Sequence, residues 1–316
     1  MIDTTRPSRH IVAREWDLTM CGIVGLFLKT PSLRPELGAL LAGMLVTLSD
    51  RGPDSAGFAI YGDALPNRTK VTLRATAAYD FESLLNKVRS TIDKDASLVR
   101  RDTHAVLTVG EKQEDALRTL IEELPEVEIV GSGRRMEVYK EVGLPKTVSA
   151  RFGLEGMSGT HAIGHTRMAT ESAVTTNGAH PFTTGPDQCL VHNGSLSNHN
   201  AVRRELIRQG LTFRTENDTE VAAGYMTYKM REGASLEQAL NASLDALDGF
   251  YTFVVGTESG FGVLRDPIAC KPAVMAETDD WVAFGTEYRA LVDLPGIQEA
   301  RVWEPEPAKV YRWERH

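Results

Sequence analysis

Pairs of short apolar runs separated by tight turns restrict the fold of this chain more than any other feature. Phe250 to Gly256 and Phe261 to Arg265 flank Thr257-Glu258-Ser259-Gly260, and Ala273 to Ala276 and Trp281 to Gly285 flank a second turn. Runs this close in sequence leave no room for a crossover helix, so each pair must be antiparallel. Near the other end, Cys21 to Leu28 (CGIVGLFL) is bounded by turn residues and reads as a buried strand. Pro35 opens a helix whose apolar positions Leu37, Leu40, Leu41, Met44, Leu45 and Leu48 form one face that docks on a sheet. It ends before Arg51-Gly52-Pro53-Asp54-Ser55, and Ala56 to Tyr61 returns as a strand. Ser197 and Ser235 precede two further helical patterns; Gly210 closes the first, and Gln238 completes a capping box in the second. Antiparallel hairpins between helical ends give an α+β class, with layered sheets covered by helices.

Residues 63 to 158 form a different block, with strand Thr103 to Val109, helix Gln113 to Leu124, and strands Val127 to Val130 and Met136 to Val142. This is read as an α/β lobe inserted into a domain spanning 21–316, and the acidic run Glu111 to Glu128 as the solvent face of its helix. Residues 1–20 are read as a leader or a mis-assigned start. The longest apolar stretches, such as Ala39 to Leu48, fall far below the ~20 residues needed to cross a bilayer. Residues 1 to 19 lack the apolar core of a signal peptide, so a cytoplasmic location without a membrane partner is expected. With 43 acidic against 35 basic residues and no basic stripe interleaved with aromatics, nucleic acid is not an expected partner. The three cysteines, Cys21, Cys189 and Cys270, fit neither a disulfide framework nor a metal or iron–sulfur motif, so no metal or cofactor is expected on this chain. Cys189 and Cys270 both read as small buried hydrophobes.

Four segments carry chemistry. In Met20-Cys21-Gly22, a cysteine at the start of a mature chain has its own α-amine as an adjacent base, with an ordinary pKa of about 7.7 to 8.0. The small residues after it leave room for substrate; a core cysteine is the other reading. Gly164 to Thr170 ends a strand and projects Arg167, whose guanidinium fits a carboxylate through two parallel hydrogen bonds or forms a surface ion pair. In Val191-His192-Asn193-Gly194, a side-chain amide and a backbone N–H of Gly194 have the composition of an oxyanion hole, and Asn-Gly equally suits a turn. Glu216 to Glu220 leads into a helix; a carboxylate there suits an ammonium, while Asn217 with Glu220 also suits a capping box.

The strings MCGIVGLF, SDRGPDSAGFA, GHTRMAT, AHPF, VHNGSLSNH, ENDTEVAA, RDPIACKP and FGTEYRAL, in this order, resemble the glutaminase domain of class II amidotransferases from Cys21 to about Leu291, apart from the inserted lobe. The resemblance implies a four-layered αββα Ntn-hydrolase sandwich with Cys21 as the nucleophile. It further implies Asn193 and Gly194 as the oxyanion hole, Arg167 as the clamp on the glutamine carboxylate and Asp218 as the partner of its ammonium. Arg51 and Asp54 would support the site, and Thr170 and His180 would line it. The lobe is longer than in most relatives, and twenty residues precede Cys21. The blocks LSDRGPDSAGFAIYG and GHTRMATESAVTTNGAHPF look most like the amidotransferase-like subunit of N-methylglutamate synthase and its relatives. That resemblance implies glutamine or glutamate as substrate, an FMN-containing glutamate-synthase-like partner subunit and a further synthase subunit, with the iron–sulfur cluster also on partner chains. Ordinary glutamate synthesis, a glutamine-binding subunit without turnover, and other N-terminal-nucleophile hydrolases are the alternatives.

Overall fold

The computed structural model describes residues 21–169 and 173–315. Thr170 and the segment 1–20 lie outside the described residues. The chain begins with β1 (Gly22–Leu28), α1 (Leu37–Thr47) and β2 (Ser55–Tyr61). There follow β3 (Arg68–Arg74), α2 (Phe81–Thr91), β4 (Ser97–Arg101), β5 (His104–Gly110), α3 (Glu114–Glu122) and β6 (Glu128–Gly133). Next come β7 (Met136–Val142), α4 (Pro145–Phe152), β8 (His161–Arg167), β9 (Phe182–Gly185) and β10 (Gln188–Leu196). Three helices, α5 (His199–Arg208), α6 (Asp218–Arg231) and α7 (Leu236–Ala246), precede the strands β11 (Gly249–Gly256), β12 (Gly260–Arg265), β13 (Val274–Glu277) and β14 (Trp281–Gly285). Two short strands, β15 (Arg301–Trp303) and β16 (Tyr311–Glu314), complete it.

Among the described residues the strands form three antiparallel sheets, ordered β15-β13-β14-β1-β8-β2-β7, β16-β12-β11-β10-β9 and β4-β5-β3-β6. Strand alternation sorts the side chains of the first two into layers. Val24, Leu26 and Leu28 of β1 face α1 and α4, whereas Ile23 and Phe27 meet Val191, Val254 and Val263 of the second sheet. On the far side of that sheet, Leu190, Tyr251, Phe253 and Val255 pack against α5, α6 and α7. Helices, sheet, sheet and helices therefore stack in that order. The small third sheet has a core of its own with α2 and α3, including Val71, Leu84, Leu107 and Leu117. No helix among the described residues is long and apolar enough to cross a membrane.

The hairpins, the buried strand at 22–28 and the capping box at Ser235 lie where the sequence puts them. The inserted lobe does not extend to residue 158. Its sheet ends at Gly133, and β7 pairs with β2 from Ser55↔Val142 to Tyr61↔Met136, as an edge strand of the large sheet. Helix α4 likewise packs with α1 in the main core through Val148 and Phe152. Cys189 is buried, but Cys270 is exposed, because it sits in the loop after β12 rather than in a strand.

Candidate active site

Strand register assembles the first half of the site. Gly22 of β1 pairs with Thr166 of β8, so Cys21, one step beyond, stands beside Arg167. Gly22 leaves no room for substrate: a Cβ there would lie 2.7 Å from Thr166 Oγ1 and 2.9 Å from Leu48, so the small residue serves packing. The Arg51–Ser55 turn crosses the end of β8. At Gly52 a Cβ would fall 2.4 Å from the Thr166 carbonyl oxygen, so only glycine fits that approach. Asp54 then ties down the chain after Arg167: its Oδ2 accepts from the Ala169 N–H at 2.8 Å, and its N–H donates to the Arg167 carbonyl at 3.1 Å. Arg51 is buried outside the cleft and pairs with Glu287, which also binds Arg289.

The second half comes from β10 and the start of α6. Asn193 and Gly194 sit inside β10, opposite Thr252 and Tyr251, rather than in a turn. Gly194 has φ +148°, and a Cβ there would lie 2.0 Å from the Phe250 carbonyl oxygen; the position demands glycine. Asn193 Nδ2 donates to the Cys21 carbonyl oxygen at 3.1 Å, joining the two sheets at the nucleophile candidate. Asp218 opens α6, and its Oδ2 accepts from the Leu196 N–H at 2.9 Å. Asn217 caps that helix through the Thr219 N–H, but Glu220 does not complete a capping box: it accepts from the Arg214 and Thr215 N–H groups, folding the preceding loop onto the helix.

Cys21, Arg167, His180, Asn193, Gly194 and Asp218 all line one cleft of about 620 Å³, together with Thr219 and Lys271. Sequence reasoning assigned no role to Thr219, Lys271, His165 or His192. The imidazoles of His165 and His180 stack with centroids 3.9 Å apart, and His165 Nε2 donates to the His192 carbonyl oxygen at 3.0 Å. Thr219 Oγ1 lies 2.8 Å from His180 Nε2, 3.0 Å from His192 Nδ1 and 3.4 Å from Asp218 Oδ1. A hydroxyl has one proton to give, so at least one of the two imidazoles must donate to it. The available signal was a buried-face position held by a polar residue: His165 shares its strand face with Ile163, which packs between the sheets.

Burial holds these histidines neutral. It pushes His165 down to about 3 and His180 well below its ordinary value, and it lowers His192 against the pull of Asp218. Arg167 and Lys271 bring the positive charge to the cleft. Burial also pushes the Cys21 thiol up, and the backbone at Met168, whose carbonyl is 3.8 Å from Sγ, Arg167 and Lys271 offset this only in part. A thiol in that state attacks only with a base to take its proton. Among the described residues no group of three or more His, Cys, Asp or Glu side chains is arranged to hold a metal ion.

Comparison with known proteins bears on the family of the chain. A family model described as a glutamine amidotransferase domain matches residues 165–293. The glutamine amidotransferase-like protein GlxB of Rhizobium meliloti is 61% identical over 93% of this chain and 98% of its own length. A putative glutamine amidotransferase of Methanothermobacter thermautotrophicus is 34% identical over 92% of this chain and 99% of its own. In fold, the chain is similar to the glutamine phosphoribosylpyrophosphate amidotransferase from B. subtilis, with a TM-score of 0.58 at 21% identity over 93% of this chain. It spans about half of that longer structure, 47%. By these two full-length relatives and the family model, the chain belongs to the class II glutamine amidotransferase family.

Proposed function

We propose that this chain hydrolyses the side-chain amide of glutamine, with Cys21 as nucleophile, and supplies ammonia to a separate synthase subunit. The observation that carries the reading is the convergence of Cys21, Arg167, Asn193, Gly194 and Asp218 on one cleft from four separate segments. Arg167 takes the α-carboxylate of glutamine in a fork of parallel hydrogen bonds, and Asp218, oriented by Leu196 and Thr219, takes its ammonium. Cys21 Sγ attacks the δ-carbonyl carbon. The oxygen gains negative charge against the Gly194 N–H and the Asn193 amide, which has a second N–H besides the one on Cys21. The free α-amine of Cys21 takes the thiol proton and returns it to the departing nitrogen, which leaves as ammonia. Water, deprotonated by the same amine, opens the γ-glutamyl thioester, yielding glutamate and the thiol.

The partner chemistry proposed is that of an N-methylglutamate synthase, which joins methylamine to glutamate with loss of ammonia. In this complex the site of this chain takes glutamate or its methylamide in place of glutamine; ammonia supplied from glutamine is consumed in the alternative, ordinary glutamate synthesis. FMN and the iron–sulfur cluster then reside on partner subunits. Sequence blocks 48–62 and 164–182 support this assignment over ordinary glutamate synthesis. The test has two arms. Intact mass and glutamate release decide the chemistry: fully active protein whose Cys21 amine is still in a peptide bond, or a Cys21→Ala variant that retains turnover, removes the mechanism. Co-purification followed by assays with methylamine plus glutamate, and with glutamine plus 2-oxoglutarate and a reductant, decides the acceptor. Activity in the second assay alone leaves ordinary glutamate synthesis.

A further inference from the structure

We propose that Lys140, on the edge strand β7, is a positioning residue for the glutamine cleft. It latches residues 173–180, which form one wall of the cleft, to the large sheet. This rests on the glutamine reading above. Within the wall Ala179 and His180 are buried, His180 against His165, whereas residues 173–175 and 177 are exposed and gain little from packing. Ala173, Thr175, Gly178 and His180 face the cleft, while Asn177 lines a second cavity of about 470 Å³ on the other side, together with Lys140 and Phe182. The exposed part of the segment is left to hydrogen bonds, and β7 supplies them. Lys140 Nζ donates to the Ala179 carbonyl at 2.8 Å and to the Asn177 carbonyl at 3.2 Å, and it lies 4.5 Å from the Phe182 ring centroid. The adjacent Glu141 accepts from the Thr176 hydroxyl. Gly57, the β2 partner of Lys140, completes the seat: a Cβ there would lie 2.1 Å from the His180 carbonyl oxygen, so the wall rests directly on the sheet.

Burial holds the Lys140 amine down to about 7, yet the latch survives loss of the proton. A neutral amine keeps two hydrogens, one for each carbonyl. The geometry therefore makes the amine's donors, rather than its charge, the essential feature. Lys140→Met keeps the stem on Phe182 and removes both donors. Hydrogen exchange read by mass spectrometry over residues 173–180 is expected to quicken roughly tenfold in this variant, and KM for glutamine to rise by a similar factor with kcat within about threefold. Unchanged exchange overturns the latch. Faster exchange with unchanged KM, or a fall in kcat alone, overturns its role in positioning the cleft. If the unsubstituted protein turns over no glutamine, the glutaminase reading fails and the exchange arm alone decides the latch. Should Lys140→Met not fold, Thr176→Ala, at a half-buried loop position, decides it through the same two readouts, with smaller shifts in the same directions.

Discussion

At Thr219 one hydroxyl lies within reach of His180, His192 and Asp218, so its loss leaves several buried polar atoms without their partner. Thr219→Val keeps the shape and removes the hydroxyl. The expected result is a KM for glutamine raised roughly tenfold, with the protein destabilised by about 1–3 kcal/mol, and recovery of most of both in Thr219→Ser. Equal kinetics for valine and threonine would show that the hydroxyl does not orient Asp218. The clamp itself is tested more directly. Arg167→Lys gives up the planar fork and Asp218→Asn gives up the charge, so kcat/KM for glutamine should fall roughly tenfold or more in each. If both variants kept the original kcat/KM, the substrate would have to lie elsewhere in the cleft. The candidates Cys21, Arg167, Asn193, Gly194 and Asp218 were legible because they stand in an ordered set of short motifs, although each motif alone had an ordinary alternative. Of the histidine cluster only His180 was legible, through its motif, and its contacts with the other two were not. His165, His180 and His192 meet only when β8, the segment before β9, and β10 come together, and nothing local in the sequence announces a ring stacked from another strand.

Element boundaries followed local signals wherever the stabilising partners are near in sequence. The β11–β12 hairpin, the apolar face of α1 and the Ser235–Gln238 box of α7 are of this kind. Strand β7 was assigned to the wrong body because its partner, β2, lies on the other side of the whole lobe, and a strand carries no mark of which distant edge it joins. The Asn193-Gly194 pair has the opposite lesson: its turn-like composition serves a positive φ inside a strand. Two substitutions separate these cases. Ser235→Ala removes one acceptor at an exposed helix start and should cost about 1 kcal/mol in urea unfolding, leaving glutamine turnover unchanged. Gly194→Ala drives a methyl group into the Phe250 carbonyl and must part β10 from β11, at a cost of roughly 2–4 kcal/mol. Because the same shift moves a proposed oxyanion donor, kcat should fall roughly a hundredfold or more. A Gly194→Ala protein with unaltered stability and kcat would remove the steric account of this position.

On the scale of the whole molecule, the layered sheets bury histidines far from the cleft as well as beside it. His161 stacks on Tyr61 between the large sheets, and His104 packs against Tyr139 and Phe152 where the lobe meets the main core. Burial pushes His104, His161 and His165 each down to about 3. In the unfolded chain such a group takes its proton near pH 6.5, so between about 6.5 and 3 the unfolded state binds more protons than the folded one. Stability must then fall as the pH drops through that window, by roughly 1.4 kcal/mol per pH unit for each histidine and about three times that for the three together. Lys140 extends the trend upward: held down to about 7, it leaves the unfolded state with the extra proton up to the ordinary lysine value, so stability continues to rise above neutrality. Urea midpoints measured from pH 7 to 4.5 should show this slope. His104→Phe provides the control, since a phenyl ring suits the aromatic contacts and His104 Nε2 has no hydrogen-bond partner among the described residues. Its slope should flatten by the equivalent of about one proton between pH 6 and 4.5. A variant as steep as the parent would show that His104 is already able to charge within the folded protein, and a parent with no slope at all would contradict the burial of the whole set.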